Sequence, residues 1–135
     1  MKNAKTTSRT IGYLQFSKAE KDLNKNKRII LRLANNKMLE NIEWVKEKIN
    51  ETEDWRSRKL GEIIDNLNEG DAIIVAKTSH LGLSSASLLD LRLHCRSRSI
   101  KIYDVGSGRN IVDFIEDGIT WGVAMCDPVV KPNSG

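Results

Sequence analysis

A short apolar run preceded by a turn constrains the fold of this chain more than any other feature. Residues 72–76 read Ala-Ile-Ile-Val-Ala, and they directly follow the turn sequence Glu69-Gly70-Asp71. A strand that is apolar at every position is buried on both of its faces, as the central strands of parallel sheets are. The run therefore predicts the middle of a sheet that is flanked by helices.

Strand-like and helix-like segments alternate on both sides of this run. Short β-type runs are predicted at residues 10–16, 42–45, 72–76 and 100–105. Apolar residues at helical spacing predict helices from residue 18, over residues 55–68, from about residue 83 and over residues 111–125, with residues 46–54 as a loop. This alternation predicts an α/β fold, a single domain with a mainly parallel central sheet flanked by helices.

Length and composition are those of one globular domain. The chain has 135 residues, 30% of them charged and 39% hydrophobic, with a net charge of +4. We expect a flexible arm over residues 1–9, the domain over residues 10–126 and a loose tail over residues 127–135. No run approaches the length of a membrane span or a signal peptide, so we expect a cytoplasmic protein without membrane contact.

Cysteine usage and glycine motifs give no sign of a metal or a cofactor. Cys95 and Cys126 are far apart and lack a CxxC companion, so they are predicted to be reduced, buried thiols. Residues 105–110 form a glycine-containing loop that matches neither nucleotide-binding fingerprint. It reads as a flexible turn, or as a phosphate-binding loop that opens the last helix.

Two polar strings follow the first and third predicted strands. Residues 13–17 read Tyr-Leu-Gln-Phe-Ser, and residues 77–84 read Lys-Thr-Ser-His-Leu-Gly-Leu-Ser. In an α/β fold a serine that ends the first strand lies at the carboxyl edge of the sheet, where ligands usually bind. Ser17 can be interpreted in two ways. It is the first residue of a capping box, Ser-x-x-Glu, which ends at Glu20, and it is also a candidate nucleophile.

The order and context of these strings resemble the catalytic domain of the serine recombinases, the resolvase and DNA-invertase family. The resemblance covers roughly residues 11–105. It also rests on Gly12-Tyr13, on the Glu-Gly-Asp turn with its strand, on Leu81-Gly82 and on the strand over residues 99–105. It implies a resolvase-like fold, DNA as substrate and Ser17 as the residue that attacks a DNA phosphate.

The chain departs from this family where the family carries its catalytic charges. The family strings read Tyr-x-Arg-Val-Ser and Asp-Arg-Leu-x-Arg. Here Gln15 stands at the first arginine, Ser79 and His80 replace the Asp-Arg pair, and Leu83 replaces the last arginine. A guanidinium holds a phosphate through two parallel hydrogen bonds, which none of these side chains can reproduce. The resemblance therefore implies a degenerate active site with little strand cleavage.

One more arginine of the family precedes the second helix. Ser57 falls at that place, and the neighbouring Arg56 and Arg58 are candidates to substitute for it. His80 is either a loop histidine without a chemical role or a helper that carries charge only below about pH 6.5.

Basic residues form three groups, which are either solvated helix faces or contacts to DNA phosphates. The first lies on the first helix. The residues of the other two groups are the predicted nucleic-acid contacts: Arg56, Arg58 and Lys59, then Arg92, Arg96, Arg98 and Lys101. Arg92 and Arg96 share one helical face, which favours the last group.

Three functions remain open at this stage. The first is a recombinase-like domain without strand cleavage, acting as a regulatory or accessory factor in DNA transactions, as a homodimer or with a protein partner. The apolar last helix, which resembles the start of the family's dimerisation helix, motivates the dimer. No DNA-reading motif follows it before Gly135. The alternatives are an active recombinase that uses Ser17, and a protein-interaction module that does not bind DNA.

Overall fold

The computed structural model describes residues 8–16, 19–49 and 52–113. Within these ranges the chain forms five strands and three α-helices. The strands are β1 (Thr10–Gln15), β2 (Ile42–Glu47), β3 (Ala72–Val75), β4 (Lys101–Asp104) and β5 (Arg109–Asn110). The helices are α1 (Glu20–Asn36), α2 (Lys59–Asn66) and α3 (Ser85–Ser97), and two short 3-10 turns span Trp55–Ser57 and Thr78–Leu81.

The strands form one sheet in the order β2-β1-β3-β4-β5. The first four are parallel, and β5 pairs antiparallel with β4. Gln15 pairs with Glu47, and Val75 pairs with both Tyr13 and Asp104. The carboxyl ends of the parallel strands therefore meet at one edge, and the predicted α/β architecture is confirmed.

The central strand β3 supplies both faces of the core, as its unbroken apolar sequence predicts. Ile73 packs with Leu60 of α2 and Leu91 of α3 on one face, whereas Ile74 packs with Ile30 of α1 on the other. Successive side chains of a strand point to opposite faces, so these two neighbours bury themselves in separate clusters. Each cluster holds one layer of helix against the sheet.

Several boundaries differ from those predicted. β2 continues to Glu47, because its pairing with β1 runs through two residues that were predicted as loop. The predicted helix over residues 55–68 is a 3-10 turn followed by α2, with an extended backbone at Arg58 between them. The third helix begins at Ser85, and the hydroxyl of Ser84 accepts a hydrogen bond from the Ser87 amide at 3.2 Å.

The predicted capping box is wrong. Helix α1 begins at Glu20 and its N-cap is Ala19, whose methyl side chain cannot accept a capping hydrogen bond. A capping box requires the glutamate at the third helical position, whereas Glu20 occupies the first. Ser17 and Lys18 lie outside the described residues, so the nucleophile remains a prediction.

The predictions for the two ends of the chain are also modified. Arg9, placed in the flexible arm, is fixed: its amide donates to Asp71 Oδ1 at 2.8 Å and its guanidinium pairs with Glu43.

Residues 105–110 form a turn and strand β5, and they do not open a helix. Residues 111–113 form a turn. The rest of the predicted last helix, the tail and Cys126 lie outside the described residues, whereas Cys95 is buried with a free thiol. In the described part of the chain, no helix is both long and apolar enough to cross a membrane.

A close backbone contact makes a glycine necessary inside α2. A Cβ atom added to Gly61 would lie 2.5 Å from the backbone oxygen of Arg56. Gly→Ala in a helix ordinarily stabilises by up to about 1 kcal/mol, but overpacking costs about 1–3 kcal/mol. We therefore expect Gly61→Ala to lower the free energy of unfolding, as measured by urea denaturation.

Gly106→Ala is the matched control. Its Cβ would meet only a side-chain oxygen, Asp104 Oδ1, at 3.3 Å. The larger loss is expected for Gly61→Ala, and equal stability of the two variants would contradict the assigned contact between α2 and the preceding turn.

Candidate functional site

A pocket of about 280 Å³ lies at the carboxyl edge of the sheet, beside the end of β1. Gln15 from β1 and His80 from the turn after β3 both line it. Lys77 joins them from that same turn segment. The opposite wall is one face of α1, formed by Asp22, Lys25, Asn26 and Ile29.

Sequence reasoning missed the contribution of α1 to this pocket. Asp22, Lys25, Asn26 and Ile29 follow the spacing i, i+3, i+4, i+7, which places them on one helical face. This spacing is present in the sequence, but the helix is predicted from its apolar residues alone. Polar residues at helical spacing are ordinarily solvated. They indicate the wall of a pocket only when another element is known to lie against that face of the helix.

The charges in the pocket differ in kind from those of an arginine-lined site. Among the described residues, its lining contains two lysines, one aspartate and no arginine. Burial, and then the charge of Lys77, lower the pKa of His80 below its usual value of 6.5. The imidazole is therefore neutral at neutral pH, and it adds a hydrogen-bonding group but no charge.

Four residues are predicted to replace catalytic residues of the family, and the structure places them in two pairs. Gln15 and His80 line the pocket together. Ser79 is exposed on the 3-10 turn, whereas Leu83 is partly buried and packs against the core cluster shared by α2 and α3. Neither of the latter two lines the pocket within the described part of the chain. Leu83, the residue predicted to replace the last arginine of the family string, therefore makes a packing contact.

A buried ion pair lies behind this edge of the sheet. Arg58, only 4% exposed, donates from Nη2 to Glu47 Oε1 at 3.3 Å and to Tyr13 Oη at 3.0 Å. Tyr13 donates its own hydroxyl proton to Glu47 Oε1 at 2.5 Å. The same Nη2 also donates to the backbone oxygen of Leu81 at 2.8 Å. The ion pair thus ties β1, β2 and the start of α2 to the turn that carries His80.

Glu47 also serves as the cap of α2. Its carboxylate accepts from the amides of Lys59 at 2.8 Å and Leu60 at 3.3 Å, which are otherwise unpaired at a helix N-terminus. Burial raises the pKa of Glu47, but the hydrogen bonds from Tyr13, Arg58 and Lys59 outweigh burial, so the pKa is lowered. The carboxylate stays ionised beside the guanidinium.

These contacts remove Arg58 from the predicted DNA contacts. Its guanidinium is enclosed by protein, and its buried Nη1 has no hydrogen-bond partner among the described residues. An external phosphate cannot reach it in this conformation. It also cannot replace the family arginine at Ser57 as a direct phosphate ligand.

Arg56 is exposed but engaged. Its guanidinium lies 4.3 Å from the ring centre of Trp55 and pairs with Asp90 of α3. The indole Nε1 of Trp55 donates to the same carboxylate at 3.2 Å. This arrangement holds the turn before α2 against α3. Lys59, the third member of the group, is exposed and its Nζ donates to the Lys46 oxygen.

The last basic group also splits by role. Arg98 donates to the oxygens of Ile64 and Leu67, each at 2.7 Å, and so satisfies carbonyls at the end of α2. Arg92 is half-buried, and its Nε donates to Ile111 O at 3.1 Å. Arg96 and Lys101 are exposed. Their contact with DNA remains a prediction.

Comparison with known proteins agrees with this geometry. The family model "Resolvase, N terminal domain" matches residues 10–117. The chain therefore belongs to the resolvase family, whose N-terminal domain is the catalytic domain of serine recombinases.

A solved structure has a similar fold. It is the C-terminal catalytic domain of ISC1926 TnpA, an IS607-like serine recombinase, with 14% sequence identity and a TM-score of 0.54. The alignment covers 91% of this chain and 88% of that one. A search of curated protein sequences gave no match.

The described residues contain no group of three or more metal-ligating side chains.

The buried ion pair predicts unequal roles for two glutamates of β2. Glu47→Gln leaves Arg58 charged and buried, and breaking such a pair costs about 3–5 kcal/mol. Glu43→Gln removes an exposed pair with Arg9, worth less than about 1 kcal/mol. Urea denaturation at neutral pH measures both, and a Glu47→Gln loss as small as that of Glu43→Gln would contradict the network.

The pocket predicts a dependence of His80 on Lys77. Lys77→Gln removes a repelling charge, so we expect the pKa of His80 to rise, as measured by NMR titration of its ring protons. Because the folded-state pKa lies below the unfolded value of about 6.5, protonation favours the unfolded state. The contribution of His80 to stability is therefore lost as the pH falls below about 6.5, and less is lost in the variant. Lys77→Arg, which keeps the charge, should leave the titration in place.

Proposed function

We propose that this domain binds the phosphate backbone of duplex DNA at the carboxyl edge of its sheet without cutting it. In that role it serves as a regulatory or accessory factor in DNA transactions. The observation that carries the proposal is the lining of the pocket, where Gln15 and His80 stand beside Lys25 and Lys77. Membership of the resolvase family supports a DNA ligand.

Lysines suit the binding of a phosphate better than its transfer. An ammonium group is a point charge that attracts a phosphodiester, whereas a guanidinium also fixes its orientation through two hydrogen bonds. Phosphoryl transfer depends on this positioning and on stabilising added negative charge, and one catalytic arginine is worth about 10³-fold or more in rate. A pocket with two lysines and a neutral histidine supports attraction without that stabilisation.

The other basic candidates support the same conclusion. For an active recombinase that uses Ser17, Arg56, Arg58 and His80 were the available helpers. Arg58 is buried in its ion pair, Arg56 pairs with Asp90, and His80 is neutral at neutral pH. None supplies an unengaged charge to the pocket.

The lysines of the pocket give a direct test of DNA binding. We expect Lys25→Gln with Lys77→Gln to weaken binding to a labelled duplex, measured by fluorescence anisotropy at several salt concentrations. Each lost phosphate contact reduces the slope of log K against log salt by about 0.9. The control Lys21→Gln removes the same charge from an exposed position of α1 outside the pocket.

Equal binding by the control and the pocket variants would refute the proposed site. An absence of DNA binding by the unmodified protein at low salt would favour the protein-interaction module instead. Covalent protein–DNA adducts on supercoiled DNA that disappear in Ser17→Ala would establish the active recombinase and contradict the loss of cleavage.

Self-association is the other part of this proposal. A homodimer would present two phosphate-binding edges to one duplex and raise the affinity through multivalency. Sedimentation that shows only monomer at high protein concentration would contradict the dimer without affecting the pocket.

A further inference from the structure

A second cavity, of about 620 Å³, lies on the other side of the turn that carries His80. Its lining consists of Thr78, Arg92, Asp104, Ser107, Arg109 and Ile111. Thr78 follows Lys77 directly, and these two neighbours line different cavities. The two cavities therefore adjoin along the carboxyl edge of the sheet.

The loop between β4 and β5 forms one wall of this cavity. Asp104 accepts hydrogen bonds from the Thr78 hydroxyl at 3.1 Å and from the Gly106 amide at 2.9 Å. Gly108, at φ +73°, then turns the chain so that Arg109 pairs with Asp104 across the hairpin backbone. The Asp104 carboxylate is thus engaged in fixing the loop, although its charge remains in the cavity.

Arg92 supplies a cation to the opposite wall. It is half-buried, and among the described residues no carboxylate forms an ion pair with it. Its hydrogen bond to Ile111 O uses only Nε, and burial lowers the pKa of its guanidinium. A partly desolvated cation without a paired carboxylate favours an anionic ligand.

We propose that this cavity binds a phosphate group through the guanidinium groups of Arg92 and Arg109, with the hydroxyl of Ser107 as a further hydrogen-bond donor. The phosphate comes either from the DNA strand whose neighbouring phosphate occupies the lysine pocket, or from a free nucleotide. The first source rests on the proposed function, and the second does not. The volume lies within the range of small-molecule sites, so the cavity has room for more than a phosphate alone.

Binding of AMP, followed by NMR of the ¹⁵N-labelled protein, tests the cavity without DNA. Saturable shifts of the Arg92 Nε–H signal and the Gly106 and Gly108 amides are expected, together with at least tenfold weaker binding in Arg109→Gln. Arg109 is exposed, so this variant keeps the fold if Arg92→Gln does not. Lys21→Gln should bind AMP as the unmodified protein does.

DNA binding by the same variants identifies the source of the phosphate. A salt slope reduced by about 0.9 in Arg109→Gln supports a DNA phosphate in the cavity. If the arginine variants weaken DNA binding and the lysine variants do not, the proposed function fails at its pocket while this inference stands. AMP binding without an effect on DNA supports a free nucleotide. The inference would be overturned if the unmodified protein did not bind AMP and if Arg109→Gln bound DNA with the same affinity and salt slope as Lys21→Gln.

Discussion

The buried pair of Arg58 and Glu47 is the interaction on which the functional edge of this domain depends. Taking two charges out of water is expensive, and their attraction offsets that cost only when the remaining hydrogen-bonding groups are satisfied. Glu47 meets this condition through Tyr13 and the first amides of α2. Arg58 meets it through Tyr13 and Leu81 O, except at Nη1. Because Leu81 ends the turn that begins at Thr78, the ion pair also sets the position of His80.

Four arginines of the described residues hold structural elements together. Arg58 joins two strands to a turn, Arg98 satisfies the carbonyl end of α2, and Arg56 fastens the preceding turn to α3. Arg9 pairs with Glu43 across the neighbouring strands β1 and β2. The planar guanidinium, with its five donors, suits such multiple contacts. Arg56, Arg58 and Arg98 are among the predicted DNA contacts, and these interactions within the protein engage their guanidinium groups.

The fold can be predicted from the sequence more completely than the candidate site can. The unbroken run of β3 and the alternation around it predict the parallel sheet, because burial on both faces leaves a direct mark on the residue pattern. No sequence pattern distinguishes Glu47, because an acidic residue at the end of a strand is ordinarily solvated. It caps α2 only because the fold places Arg58 and the first turn of α2 beside it. The predicted capping box failed for a related reason, since the Ser-x-x-Glu pattern does not fix where α1 begins.

Under the proposed function, the charge of the pocket lined by Lys25 and Lys77 bears on which state of a phosphate it would bind. Among its described lining residues, two lysines stand against one aspartate, a formal excess of one positive charge. This excess balances one phosphodiester in its ground state, whereas the transition state of strand transfer spreads further negative charge over the phosphoryl oxygens. Burial, and then the charge of Lys77, lower the pKa of His80, so this pocket already disfavours a further positive charge. Arginines introduced at Gln15 and His80 would therefore add charges that repel Lys25 and Lys77.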